Sequence, residues 1–273
     1  MPRAETLRSR ANPLYKRLRA LKERAADREL CLLEGPRLAV EALEAGLAVL
    51  EAAASERADA SPAGRAALAA LRQSGVPVRA MSAELVSSLS ETETSQGLLA
   101  LARRPSFAEE RIFRGTPLVL VADGVQNPGN LGGLLRSAEA AGASGAILAG
   151  GCADPFSWKA LRGSMGSAFR VPHVRGVSID GALDVLEARR ISILATTAEG
   201  ERRYDEADLR GPVAIVVGSE GTGLPSAVLE RAAVRLRIPL REPVESVNVG
   251  VAAALVLFEA ARQRGFPRVG PGG

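Results

Sequence analysis

Five near-continuous apolar runs punctuate the second half of the chain: PLVLVA (117–122), GAILA (145–149), ISILATT (191–197), VAIVVG (213–218) and VRLRIP (234–239). Segments of helical pattern fall between and after them, at 131–141, roughly 156–162, 179–189, 225–232 and 246 to about 264. Strands that are apolar on both faces must be covered on both faces, and helices between them supply the cover. The pattern therefore predicts a parallel α/β sheet. In such a sheet ligands sit beyond the carboxyl ends of the strands. The residues that follow each run are thus the first place to look for chemistry.

A looser alternation precedes the sheet. NPLYKRLRALKERAADRE reads as a helix capped by Asn12 with Pro13 at its first position, and PRLAVEALEAG as a helix that stops at Gly46. CLLEG, LAVLEAAAS, VPVRAM and SQGLLALAR read as strands, and SPAGRAALAALRQSG as a helix. The reading is a smaller α/β domain over 12–103, after a basic flexible arm (1–11). A charged linker (104–116) joins it to the sheet domain (117–265), and a Gly/Pro-rich tail (266–273) reads as disordered.

Composition narrows the chemistry. The chain has one histidine, His173, and two cysteines, Cys31 and Cys152, far apart in apolar surroundings. Zinc sites, Cys–His dyads and Ser–His–Asp triads need clusters that these residues cannot form, so no metal is expected. The cysteines read as reduced core positions of a cytoplasmic protein. No run approaches the length of a membrane-spanning helix. Residues 1–28 hold nine Lys/Arg against three acids, a plausible phosphate-binding element or a solvated face. Aromatics are 3% of the chain, few for a protein that works mainly by stacking on single-stranded bases.

Three strand ends carry unusual residues. QNPGNLGG (126–133) fits neither the dinucleotide fingerprint nor the P-loop. It leaves an N-x-G-x-x-x-R arrangement of Asn130, Gly132 and Arg136, in which Asn130 can cap a helix and Arg136 is expected to be buried with a partner or an anionic ligand. GSEGTGLP (218–225) surrounds Glu220 with Gly218, Gly221 and Gly223, more glycine than a strand-to-helix turn requires. IPLREPVESVNVGVAAAL (238–255) places Ser246, a natural N-cap, and Asn248 before an Ala-rich helix.

In this order the three corners resemble the SpoU/TrmH family of RNA ribose 2′-O-methyltransferases, of the SPOUT class, across 117–264. Residues 12–103 resemble the family's L30e-like substrate-binding domain. The resemblance implies a parallel sheet with a deep trefoil knot, S-adenosylmethionine as cofactor, a homodimer through the SPOUT domain, and RNA as partner. Large-subunit ribosomal RNA is the expected substrate; transfer RNA and a catalytically inactive RNA-binding paralogue are the alternatives. It implies that Gly218, Ser219, Gly221, Gly223, Ile238, Pro239, Leu240, Val247 and Asn248 hold the cofactor. Asn130, Arg136, Glu220, Ser246 and Asn248 would serve the reaction. Family members commonly carry a small hydroxyl residue where this chain has Gly250.

Overall fold

The computed structural model describes residues 6–23, 28–92 and 94–266, which form two compact units. One comprises the chain up to Ser106 together with Phe156–Phe169; the other comprises Phe107–Pro155 and the chain from Arg170 onward.

The first unit runs α1 (Pro13–Glu23), β1 (Leu30–Glu34), α2 (Pro36–Glu44), β2 (Val49–Ala54), α3 (Glu56–Ala60), α4 (Pro62–Gln73), β3 (Val78–Ala80), α5 (Ala83–Leu89) and β4 (Leu98–Arg103). Asn12 accepts a hydrogen bond from Leu14 N at 2.9 Å, so the expected cap starts α1. The sheet order is β1-β4-β2-β3, antiparallel except for the β2–β3 pair. Leu14, Tyr15 and Leu18 of α1 pack with Leu32, Leu99 and Leu101 of the sheet. The expected flexible arm is partly ordered: Leu7 N donates to Ala80 O and Ser82 N to Leu7 O, extending β3 as a bridge. The remainder of that arm, 1–5, and the tail, 267–273, lie outside the described residues.

The second unit continues with β5 (Leu118–Asp123), α6 (Pro128–Ala140) and β6 (Gly145–Ala149). The chain then forms α7 (Trp158–Ser164) and α8 (Ser167–Arg170) before β7 (His173–Val177), α9 (Ile179–Ala188), β8 (Ser192–Thr196) and β9 (Arg202–Arg203). It ends with β10 (Val213–Val217), α10 (Ser226–Arg231), β11 (Val234–Arg237) and α11 (Val249–Gln263). The seven strands pair in parallel throughout, in the order β7-β6-β5-β10-β8-β11-β9. Every residue of the central β5 and β10 is buried, which is why both read as continuous apolar runs. Each buried Leu, Val or Ile contributes about 1.5–3 kcal/mol relative to exposure.

The periodicity missed β7 and β9. Four of β7's five residues are only partly buried or exposed, and β9 is two exposed arginines at the sheet edge, so neither leaves an apolar run. The expected linker 104–116 is also corrected. Glu109–Phe113 forms a 3-10 turn whose Ile112 is fully buried with Val119, Val121 and Ile147, so the segment closes one end of the sheet's core. No helix among the described residues is long and apolar enough to cross a membrane.

Candidate active site

The corner after β5 is built by a cap. Asn127 accepts from Gly129 N at 2.9 Å and Asn130 N at 3.3 Å, and Pro128 takes the first helical position. Asn127, not Asn130, therefore starts α6, a cap worth about 1 kcal/mol. That leaves the Asn130 side chain free for other bonds. Its Nδ2 donates to Glu220 Oε1 from the loop after β10.

Asn248 completes the cluster. Its Oδ1 accepts from Gly250 N at 2.9 Å and so starts α11, while its Nδ2 donates to Glu220 Oε1 at 2.9 Å and to Asn130 Oδ1 at 3.2 Å. One side chain thus caps a helix and ties together Asn130 of α6 and Glu220 of the loop after β10. The expectation that Ser246 caps this helix is corrected: α11 starts at Val249, and Ser246 is exposed on the wall of the adjacent cavity. The polar residue ahead of an apolar helix thereby has its explanation.

The loop after β10 is a tight turn. Ser219 Oγ and Thr222 Oγ1 are 2.7 Å apart, and Gly223 N donates to Ser219 O at 3.1 Å. Gly223 has φ of 66°, a conformation that favours glycine. A Cβ on Gly218 would lie 2.2 Å from Gly223 O, so only glycine lets the turn close on itself.

This turn forms one wall of a cavity of about 890 Å³. Gly218, Ser219, Glu220 and Gly223 line it, as do Ile238, Pro239, Leu240, Ser246, Val247 and Asn248. Gly221 does not, and stands in open space. Sequence reasoning missed a further wall, Thr196, Thr197, Ala198 and Glu199 at the end of β8. The signal available was position alone, since β8 is a parallel strand and its carboxyl end belongs to the ligand side. Thr196 Oγ1 is buried there with no hydrogen-bond partner, a deficit that a bound polar ligand would remove.

Arg136 does not join the Asn130–Glu220–Asn248 cluster. It is exposed on α6 and makes no hydrogen bond or ion pair among the described residues, so the expectation of a buried arginine is corrected. Its sequence neighbours Leu134, Leu135 and Ala138 pack inward, while Arg136 falls on the helix's outer side. Asp123, at the carboxyl end of β5, is the buried acid instead. Burial, followed by the charge of Asp180, pushes its carboxyl above the usual range.

A second groove, about 660 Å³, runs between α6 and α11. Val251, Leu255 and Phe258 of α11 are 49%, 36% and 42% exposed along it, facing Gly129 and Gly133 of α6. Gly250 lines this groove and not the larger cavity, so the hydroxyl that the chain lacks there is not a loss from the cavity wall. Among the described residues no group of three or more His, Cys, Asp or Glu is placed to hold a metal ion.

Comparison with known proteins identifies the family. The SpoU rRNA Methylase family model matches residues 117–258, and the MRM3-like substrate binding domain model matches 12–100. The chain is 32% identical to the 23S rRNA (guanosine(2553)-2′-O)-methyltransferase RlmP of Bacillus subtilis over 94% of this chain and 98% of that one. Among solved structures, an RNA 2′-O ribose methyltransferase superposes with TM-score 0.85 at 38% identity, covering 95% of this chain and 99% of its own. The SpoU methyltransferase AviRb from Streptomyces viridochromogenes, in complex with AdoMet, superposes with TM-score 0.82 at 31% identity, covering 94% and 100%. With a family model matching more than half of the chain, and near full-length similarity to RlmP, the chain belongs to the SpoU rRNA methylase family.

Proposed function

We propose that the protein methylates a ribose 2′-hydroxyl of large-subunit ribosomal RNA, using S-adenosylmethionine. The observation that carries this reading is the Asn130–Glu220–Asn248 cluster standing at the rim of a cavity of cofactor size. The cavity suits the cofactor. Its wall turns on a Gly218–Gly223 contact that brings backbone to the surface, and it contains the orphan hydroxyl of Thr196. Gly218, Ser219, Gly223, Ile238, Pro239, Leu240 and Val247 would hold the cofactor, which supplies an electrophilic methyl group.

The chain's own residues orient the hydroxyl and take its proton. Glu220 Oε1 is occupied by two amide donors, which fixes the carboxylate and leaves Oε2 to receive the proton from the ribose. Much of the rate comes from alignment, which the hydrogen-bonded cluster supplies. A guanidinium is a poor base by its chemistry, so the proton goes to Glu220 and Arg136 acts through its charge. As an exposed cation without a partner among the described residues, it is suited to hold a phosphate or the developing alkoxide. Ser246, exposed on the same wall, is available for the substrate or cofactor.

Two further assignments belong to this reading. A second copy of the chain covers the apolar stripe Val251–Leu255–Phe258, whose spacing gives one continuous helical face beside two glycines. The sheet domain is threaded as a trefoil knot. In support, β11 pairs outside β8, the chain then returns to pack α11 on α6 and β10, and Gly200 admits the β11 backbone to within 2.4 Å of where its Cβ would stand. The N-terminal unit is an L30e-like domain that serves the RNA; in support, residues 12–100 match the MRM3-like substrate binding domain model.

The test is tritium transfer from labelled cofactor to naked large-subunit RNA, small-subunit RNA and bulk transfer RNA, with ribose methylation mapped by its resistance to alkali. One labelled, alkali-resistant site in large-subunit RNA, lost in Arg136→Ala, is the expected result. Cofactor binding absent from the wild type would refute the reading.

A further inference from the structure

Outside the sheet domain's cavity and groove, the first unit holds a separate cavity of about 660 Å³. Part of its wall is Trp158, the chain's single tryptophan, which α7 contributes to this unit. We infer that this cavity seats one unstacked nucleobase of the RNA substrate, with Trp158 and Arg162 as its stacking surfaces. The inference rests on RNA being the substrate and names where the first unit would grip it.

The indole is held in place by Glu34. That carboxylate accepts from Trp158 Nε1, from Ser90 Oγ, from Thr92 Oγ1 at 3.0 Å and from Glu91 N at 3.4 Å. Four donors fill the roughly four acceptor sites of a carboxylate. Glu34 is therefore spent on structure and does not read a ligand. Its effect is to lock the ring edge, and with it the plane of the indole, before anything binds. The Arg162 guanidinium lies 5.4 Å from the ring centroid. Indole and guanidinium are both flat side-chain surfaces on which unstacked RNA bases stack.

The rest of the wall chooses a base over a phosphate. Glu34, Glu41 and Glu91 stand against Arg37 and Arg162, an acidic excess that repels a phosphate and tolerates a neutral ring. Arg37 is also turned toward Glu41, at 3.8 Å. The exposed Gln96 amide and the Glu91 carboxylate make no side-chain hydrogen bonds among the described residues. Together they offer one donor group and several acceptors, which suits a base with an exocyclic amine more than uracil. A cavity of this size holds a nucleobase with its ribose.

Because the chain has one tryptophan, its emission reports on this cavity alone. The full-length protein would be titrated with RNA hexamers of adenosine, of uridine, and with an abasic hexamer of the same phosphate length. Filter binding would be followed in parallel. The adenosine hexamer is expected to quench Trp158 saturably. The uridine hexamer should bind several-fold more weakly, and the abasic one should leave emission unchanged. Loss of stacking is worth about 1–3 kcal/mol per base, which corresponds to a roughly 5- to 150-fold rise in Kd. Arg162→Ala, exposed and thus safe for folding, should raise the adenosine Kd at least twofold without altering the thermal midpoint.

Hexamers retained on the filter with silent Trp158 emission would overturn the seat. So would equal quenching by the abasic strand, or adenosine and uridine affinities that match, or failure of any hexamer to bind. Methyl transfer to large-subunit RNA by the same preparation separates the two ideas. Transfer with silent emission rejects only the base seat, whereas absence of cofactor binding rejects the proposed function.

Discussion

Gly218 and Gly221 lie three residues apart in one loop, yet the structure separates their roles sharply. An added Cβ at Gly218 would stand 2.2 Å from Gly223 O, 2.5 Å from Gly223 C and 2.9 Å from Leu224 N. All three are backbone atoms, so no side chain can swing away. Relief requires the 218–224 turn to open by about 1 Å, and overpacking of this kind costs about 1–3 kcal/mol. The turn is also a cavity wall, so its opening moves Ser219 and Glu220 away from the pocket. If the whole cost falls on binding, the cofactor Kd rises about 5- to 150-fold. Gly221 has nothing within 4 Å of its notional Cβ and no positive φ, so Gly221→Ala should leave Kd within about twofold of wild type. Gly223 has open space but φ of 66°, so Gly223→Ala should fall between the two, with a backbone cost of about 1–2 kcal/mol. Isothermal titration of S-adenosylmethionine into the three variants, with thermal midpoints measured alongside, checks the order. Equal affinities for Gly218→Ala and Gly221→Ala would refute the close-approach argument.

Glu220→Gln keeps an oxygen for the two asparagine donors but removes the proton acceptor; single-turnover methyl transfer should slow by about 10²–10⁴ while cofactor affinity stays near wild type. Thr196→Val should weaken cofactor binding about two- to tenfold by calorimetry if the orphan hydroxyl meets the ligand, and unchanged affinity would assign that wall to water instead. Leu255→Arg places a charge in the exposed α11 stripe and should yield monomers by light scattering, with the fold intact by circular dichroism. Burial holds the His173 ring below its ordinary value of 6.5, with Nδ1 2.9 Å from Val171 O. The unfolded chain therefore binds a proton that the folded one refuses, and stability is lost as pH falls below about 6.5. Thermal midpoints at two pH values on either side of that point should show a smaller acid-side drop in His173→Gln than in the wild type.

The parallel sheet was legible because β5 and β10 are buried on both faces, which forces five or more apolar residues in a row, a pattern few other environments demand. The three chemical corners were legible for a related reason. Glycines, a capping asparagine and an isolated glutamate after a strand do not continue its apolar pattern, and their joint order pointed to the family that full-length similarity then established. Edge strand β9 and the buried Ile112 in a charged stretch left no such mark, since a two-residue strand has no period and one apolar residue among charges has no pattern.

Sequence alone determined which residue types reach the strand ends. Tertiary structure decided which of them meet. Asn130 and Asn248 are 118 residues apart, and nothing local to either indicates that both amides converge on Glu220 Oε1. Asn127 and Asn130 are equally good caps by composition, and the register of α6 chose Asn127 and so released Asn130 for the site. Arg136 reads as buried from its apolar neighbours, yet a helix turns about 100° per residue and carries it to the outer side. Local propensity is a property of a short stretch of chain. Convergence depends on how far the sheet's order brings distant strand ends together, and that is settled only when the whole domain packs.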